Sequence, residues 1–80
     1  RIMAQGQMIA KFDVSGNVTP ARFAYDDKVI DVERVIGVRE EKFAVKRTLV
    51  FDCQSEVDGE LRRYELKYEV PTGIWFLVKI

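Results

Sequence analysis

The chain has 80 residues, of which 48% are hydrophobic and 32% charged, and its 13 Lys and Arg residues balance 13 Asp and Glu residues. A chain of this length is expected to form one domain, residues 1–80, with little room for a deep substrate cleft. The zero net charge excludes the long-range field that would draw the protein to a polyanion or a membrane surface. Any partner must therefore be recognised by local contacts.

Three features of the sequence bear on where the protein is found. No apolar run approaches the length of a membrane span, and the N-terminus lacks the hydrophobic stretch of a signal peptide. The single cysteine, Cys53, excludes an internal disulfide, which is typical of a reducing compartment. We expect a cytoplasmic protein without membrane contact, in which residues 1–6 are a loose N-terminus or additions ahead of the native methionine.

Turn signals divide the chain at Ser15-Gly16-Asn17, Asp26-Asp27, Asp58-Gly59 and Pro71-Thr72-Gly73. The strand-like segments between them predict six strands, at 7–14, 21–25, 29–38, 46–57, 60–70 and 74–80. Short strands at even spacing are typical of an antiparallel meander. We therefore predict an all-β fold of about six strands rolled into a small SH3-like barrel.

The first hairpin is predicted around Asp26-Asp27, which sets Phe23 opposite Ile30 and Arg22 opposite Asp31. Beyond it the alternation continues only as far as Gly37, where a bulge or bend is expected. Residues 37–47 do not alternate and carry a dense run of charges. This segment is predicted to be a loop or a single helical turn.

A second hairpin is predicted around Asp58-Gly59, because a two-residue turn there sets three apolar pairs on one face. The predicted inward pairs are Cys53–Tyr64, Phe51–Leu66 and Leu49–Tyr68. On the other face the same register sets Asp52 opposite Glu65. The strands 46–57, 60–70 and 74–80 would then share one core surface, because the last strand is expected to pair with the other edge of the strand 60–70.

The last strand is predicted to follow a three-residue loop at Pro71-Thr72-Gly73, which sets Tyr68 opposite Phe76. Trp75 and Leu77 then lie on the outer face, diagonal to Val50. We predict that Trp75, Leu77 and Val50 form an apolar patch and are the candidates for binding a protein partner or a second copy of the chain. The alternative is that the chain's own 37–47 segment or N-terminal strand covers them.

Candidate catalytic groups are few, because the chain has no histidine, the usual general base and the commonest metal ligand. Cys53 faces Tyr64 in the predicted core and is interpreted as a structural thiol. Asp52 opposite Glu65 could serve acid–base chemistry, but flanking Arg63 favours a solvated charge lattice. No phosphate loop, zinc spacing or calcium loop occurs, so we predict no enzyme activity, metal or cofactor.

A nucleic-acid function has one group of candidates, a set of cations with a single aromatic residue: Arg39, Lys42, Phe43, Lys46, Arg47, Arg62 and Arg63. Small β-barrels bind single strands through such combinations. Glu40, Glu41 and the zero net charge count against it. We therefore predict a non-catalytic interaction module that binds a protein partner or itself, with single-stranded nucleic-acid binding as the alternative.

Several segments together resemble a family of small bacterial domains of unknown function. The family pattern contains R-F-x-[WY], which is matched at 22–25, Y-E-L-x-Y at 64–68 and T-G-x-W-x-L at 72–77. The resemblance implies a compact β-barrel-like domain, alone or appended to relatives of damage-response polymerases, and it supplies no catalytic residue. The family usually has tryptophans in the middle loop, where this chain has Phe43.

Overall fold

The computed structural model describes residues 1–4 and 6–80. These residues form seven antiparallel strands and no helix: β1 (Met8–Phe12), β2 (Val18–Tyr25), β3 (Lys28–Asp31), β4 (Arg34–Phe43), β5 (Lys46–Val57), β6 (Glu60–Glu69) and β7 (Ile74–Val78). The strands pair in a three-stranded sheet, β1-β2-β3, and a four-stranded sheet, β4-β5-β6-β7. The all-β prediction is confirmed, but the described pairing closes neither sheet, so a barrel is not confirmed.

Two-residue turns connect β2 to β3 and β5 to β6. Asp26 and Asp27 have φ values of 47° and 60°, and Asp58 and Gly59 have 52° and 81°. Asp and Gly tolerate this left-handed region, and such turns match the twist of the paired strands. Both predicted registers are confirmed, including the pairs Phe23–Ile30, Arg22–Asp31, Cys53–Tyr64, Phe51–Leu66 and Leu49–Tyr68.

The segment from 28 to 47 differs from the prediction. The single strand expected at 29–38 is two strands, because the chain passes from one sheet to the other between β3 and β4. The predicted bulge at Gly37 is confirmed, but the loop predicted over 37–47 is wrong, since β4 continues to Phe43 and turns through Ala44-Val45 into β5. From Arg39 to Phe43 every residue of β4 is exposed, so no apolar alternation is required there.

The predicted register of β7 is also wrong, by one residue. Ile74 pairs with Glu69, so the loop has four residues, 70–73, rather than three. The Gly73 amide donates to the Glu69 carbonyl oxygen at 2.8 Å, and Gly73 has a φ of 72°. This four-residue loop is available because glycine adopts a positive φ without a steric penalty. Trp75 consequently pairs with Tyr68, which turns its side chain to the opposite face of the sheet.

The core lies between the two sheets. We call the face of the four-stranded sheet that packs against the three-stranded sheet its inner face, and the opposite one its outer face. Phe23 of β2 contacts Tyr64 of β6 across this core, with ring centroids 5.3 Å apart in an edge-to-face arrangement. The buried apolar residues are Met3, Val18, Phe23, Ile30, Phe51, Cys53, Tyr64, Leu66, Trp75 and Leu77.

The first residues of the chain pair with β7. The Met3 amide donates to the Trp75 carbonyl oxygen at 2.9 Å, and the Leu77 amide donates to the Arg1 carbonyl oxygen at 2.8 Å. Ile2 forms a bridge with Phe76 between them. These contacts differ from the expected loose N-terminus, because they cover the outer edge of β7 and place the Met3 side chain in the core.

A buried polar junction joins the sheets where the chain passes between them. The Ser55 hydroxyl is fully buried and donates to the Asp31 carbonyl oxygen at 2.6 Å. The Glu33 amide donates to Ser55 Oγ at 3.3 Å, and the Tyr64 hydroxyl lies 2.6 Å from Ser55 Oγ. Since a hydroxyl has one proton and a carbonyl only accepts, Tyr64 must donate to Ser55. Every hydrogen-bonding group at the junction is therefore satisfied.

Candidate functional site

The three residues predicted to bind a partner are not available on the surface. The shifted register of β7 puts Trp75 and Leu77 on the inner face, where they are 7% and 4% exposed. The Trp75 ring packs against Tyr68 and Phe51, with centroids 4.8 Å and 5.7 Å apart. Val50 lies on the outer face, as predicted, but it is 0% exposed. The predicted apolar patch is therefore wrong.

Val50 is buried beneath a lattice of charged side chains on the outer face. Its cross-strand neighbours are Arg39 on β4 and Lys67 on β6. Arg39 binds Glu65 at 3.3 Å, and Lys67 binds Glu41 at 3.4 Å. Long charged side chains cover apolar surface with their aliphatic stems while their charged groups remain in water. The outer face is thus a solvated charge lattice and offers no cleft.

The predicted basic cluster is divided between two places. Arg39, Lys42, Phe43, Lys46 and Arg47 lie on the β4–β5 hairpin, whereas Arg62 and Arg63 pair with Ser55 and Gln54. Ser55 lies eight positions after Arg47 on β5, a distance of about 26 Å in an extended strand. The structure therefore does not bring the seven residues together.

Carboxylates neutralise most of these cations. The charged groups of five ion pairs lie within 4.0 Å of each other: Arg39–Glu65, Arg47–Glu40, Lys46–Glu69, Arg62–Glu60 and Arg63–Asp52. Lys42 is the one cation of the set that has no carboxylate within this distance in the part of the chain that the structure describes. Phe43 is 85% exposed beside it. Hence only the tip of the hairpin combines an accessible aromatic ring with an unneutralised charge.

The candidate catalytic groups are all engaged in structural contacts. Burial, with a smaller contribution from the Asp52 charge, raises the pKa of the Cys53 thiol to about 12. That thiol is fully buried, and its Sγ donates to the Phe51 carbonyl oxygen at 3.5 Å. Asp52 and Glu65 do face each other, but Asp52 binds Arg63 at 2.6 Å and Glu65 binds Arg39. This is the charge lattice that flanking cations favour.

Tyr64 and Ser55 are likewise committed to the junction between the sheets. Burial raises the pKa of the Tyr64 hydroxyl to about 12, although its hydrogen bond to Ser55 acts in the opposite direction. A hydroxyl that keeps its proton and already donates it to Ser55 is a poor general base or nucleophile. No group of three or more Cys, Asp or Glu side chains placed to hold a metal occurs among residues 1–4 and 6–80.

Two grooves of similar volume open on the surface of the described residues. One, of about 510 Å³, is lined by Met3, Met8, Phe12, Tyr68, Ile74 and Trp75 among others. The other, of about 530 Å³, lies between the β1–β2 hairpin and the inner face of the four-stranded sheet. We call it the edge groove. From the sheet it is lined by Val35, Val38, Leu49, Phe51, Tyr68 and Val70, and from the hairpin by Phe12 and Val18 among others. It exists because the inner face extends beyond the three-stranded sheet at the Leu49 end. An apolar sheet face is therefore left partly in water there.

The wall and rim of the edge groove have different chemistry. Phe12 meets Tyr68 edge to face, with centroids 6.4 Å apart, and remains 62% exposed. Across the groove Val38 is 57% exposed. At the rim Arg47 binds Glu40 at 2.7 Å, so this pair is electrically neutral. The groove thus presents an apolar surface bounded by polar groups.

Sequence reasoning missed this site for a specific reason. Phe12, Val35 and Val38 follow strand alternation like any core residue, and only the relative lengths of the two sheets leave them uncovered. The exposed apolar residues at both adjoining hairpin tips, Val14, Phe43 and Val45, were a usable signal. Large apolar side chains are uncommon at turns that face only water.

Comparisons with known proteins add no assignment. Among the described residues there is no helix long and apolar enough to cross a membrane. No family model, curated protein or solved structure matches the chain. Functional inference therefore depends on the geometry of the chain itself.

Proposed function

We propose that this protein is a non-catalytic interaction module that binds a protein partner in the edge groove. The observation that carries the proposal is the open groove of about 530 Å³, in which exposed Phe12 and Val38 flank the apolar inner face of the four-stranded sheet. Its size falls within the range of roughly 300–1,000 Å³ found for binding clefts. The surface is accessible to a partner without any rearrangement of the core.

The surroundings of the groove support the same proposal. Phe12 and Val38 place large exposed apolar groups on opposite sides of the opening. Removing such groups from water is the main source of affinity in protein interfaces, and polar groups at the rim add specificity. The Glu40–Arg47 ion pair forms part of this polar rim, and because the pair has no net charge, the partner need not be strongly charged.

The alternative, single-stranded nucleic-acid binding, has one observation in its favour. Phe43 is almost fully exposed at the hairpin tip, between Lys42 and Lys46, where it could stack on a base. The resemblance to domains appended to relatives of damage-response polymerases suggests the same alternative and stays a prediction. It is the weaker proposal because phosphate binding requires unneutralised cations, and most of those present are paired.

Selection of phage-displayed random peptides against the immobilised protein tests the proposal. The recovered peptides are measured by fluorescence anisotropy on the wild type and on two matched variants. Val38→Ser removes an exposed apolar group that lines the edge groove but not the other groove, and it should weaken binding by about tenfold or more. Val14→Ser removes an even more exposed group on the turn between β1 and β2 and should have little effect, because Val14 does not line the groove.

Thermal melts of both variants control for folding, since each position is exposed in the wild type. Recovery of no specific peptide, or equal loss with both variants, would contradict the proposal. Labelled single-stranded oligonucleotides are measured in parallel at near-physiological salt. Tight oligonucleotide binding that is lost on Phe43→Ala would favour the alternative instead.

A further inference from the structure

Strand β4 has an unpaired edge that borders the edge groove. It is ten residues long and pairs with β5 on one side, and no described strand pairs with its other side. Val35 and Val38 of this strand line the groove. An unpaired strand edge presents a row of free N–H and C=O groups, which can pair with an extended chain.

The register identifies which backbone groups are free. The Arg47 carbonyl oxygen accepts from the Val70 amide at 2.9 Å, so the backbone groups of Arg47 point toward β6 and those of Thr48 toward β4. Thr48 pairs with Glu41, whose backbone groups therefore face β5. By alternation Arg39 and Phe43 also bond to β5, whereas the backbone groups of Val38, Glu40 and Lys42 point away from the sheet.

The side chains of these same residues lie on the groove side. Val38 pairs with Phe51, Glu40 with Leu49 and Lys42 with Arg47, all in the inner-face register. A strand added to this edge would therefore direct every second side chain toward the groove. We infer that the edge groove binds an extended peptide segment as an additional strand on β4, an inference that rests on the proposed function.

Charge complementarity defines the chemistry of that segment. Glu40 is already paired with Arg47, whereas Lys42 has no carboxylate within 4.0 Å among the described residues. Opposite Val38 the segment would present an apolar side chain, and four residues away, opposite Lys42, a carboxylate. The partner is thus an extended segment with alternating apolar residues and one acidic residue on the groove-facing side.

The same charges select against indiscriminate pairing. Strand edges are commonly protected by charged residues, and β4 carries Arg39, Glu40, Glu41 and Lys42 in succession. Arg39 and Glu41 are held on the outer face by Glu65 and Lys67, so they leave the backbone edge open. Pairing of two copies centred on Glu40 would set Glu40 opposite Glu40, which disfavours a second copy in this register.

Two variants at one position isolate the backbone contribution. Glu40→Pro removes an outward N–H without affecting the hydrogen bonds to β5, and Glu40→Ala removes the same carboxylate but keeps the N–H. Peptides selected from a random phage-displayed library on the wild type are measured on both by fluorescence anisotropy. Glu40→Pro should weaken binding about tenfold more than Glu40→Ala does. Circular dichroism of both variants establishes that the sheet is intact.

A charge reversal tests the acidic residue. Lys42→Glu should lower the affinity for peptides that carry a carboxylate by about fivefold. Replacement of that acidic residue of the peptide by lysine should restore the affinity for the variant. Lys11→Glu, on an exposed residue of β1 that does not line the groove, is the matched control and should change little.

The outcomes separate this inference from the proposed function. If peptides bind and Val38→Ser weakens their binding, but Glu40→Pro and Glu40→Ala bind them equally, strand addition is contradicted while the edge groove remains a protein-binding site. If no peptide is recovered, both proposals are contradicted. If sedimentation shows a dimer that Glu40→Pro converts to a monomer, the occupant is a second copy and the inference of a separate partner is overturned.

Discussion

The two ends of the inner face of the four-stranded sheet contrast sharply. At one end Tyr64 packs against Phe23, and Ser55 bonds to the segment that joins the sheets. At the other end Leu49 and Val38 continue the same apolar alternation into the edge groove, where water replaces a facing strand. Apolar alternation in the sequence thus indicates which face of a strand is apolar. It does not indicate whether another sheet covers that face.

The largest expected effect tests whether Trp75 belongs to the covered end. Trp75→Ala should lower the free energy of unfolding by about 3–5 kcal/mol, because it removes a buried ring that packs against Tyr68 and Phe51. Urea unfolding measures this change. Phe43→Ala, at an exposed position, should change stability by less than about 0.5 kcal/mol. A dimer that becomes a monomer with unaltered stability would instead place Trp75 on an outer surface.

The polar junction at the covered end predicts a smaller effect. Ser55→Ala should lower the free energy of unfolding by about 2–3 kcal/mol, since it leaves the Tyr64 hydroxyl and the Glu33 amide without their acceptor. Urea unfolding of Ser55→Ala, Tyr64→Phe and the double variant gives the coupling between the two hydroxyls. Tyr64→Phe should lower the free energy of unfolding by less in the Ser55→Ala background than in the wild type. Strict additivity would mean that the two hydroxyls do not interact.

Alkaline pH should destabilise the covered end. Burial raises the pKa of Cys53 from 9.0 and that of Tyr64 from 10.0, each to about 12. Between the ordinary pKa and the raised pKa of each group, the unfolded chain has lost a proton that the folded chain retains. The free energy that these two groups contribute to folding is therefore fully present below about pH 9 and is lost as the pH rises toward 12. Urea midpoints across this range should decline, and less steeply in Tyr64→Phe. A flat profile would show that neither group is buried in the folded state.

The smallest effect concerns the open end, at the turn between β4 and β5. Ala44 has a φ of 56°, a left-handed conformation that costs an L residue with a Cβ about 1 kcal/mol. Ala44→Gly should therefore raise the free energy of unfolding by about 0.5–1 kcal/mol. The matched change Ala21→Gly, in the interior of β2, should lower it by a similar amount. Destabilisation by Ala44→Gly would contradict the turn geometry.

The sequence predicts the covered end of the molecule well. The two-residue turn at Asp58-Gly59 sets the apolar pairs Cys53–Tyr64, Phe51–Leu66 and Leu49–Tyr68 on one face, so local pattern and tertiary packing agree. The same pattern failed at β7, because Trp75 and Phe76 are both apolar and alternation could not decide which faces inward. The deciding contact is the hydrogen bond that the Gly73 amide donates to the Glu69 carbonyl oxygen, which closes a loop one residue longer than predicted. Loop geometry of this kind is not encoded in side-chain polarity.

The open end could not be predicted in the same way. Residues 39–43 are exposed on both faces of an edge strand, so their composition resembles that of a loop. Val38 and Phe12 read as core residues, and their exposure depends on where the three-stranded sheet ends. That boundary is a property of the assembled fold. A binding groove formed by partial coverage therefore leaves little trace in the sequence.

Amide hydrogen exchange of β4, with and without a selected peptide, tests the central claim most directly. In the free protein the amides of Arg39 and Glu41 should exchange slowly because they bond to β5, while those of Val38, Glu40 and Lys42 should exchange fast. Peptide binding should slow the second group and leave the first unchanged. Fast exchange of Glu40 in the complex, or protection confined to the outer face or to Arg62 and Arg63, would contradict the account.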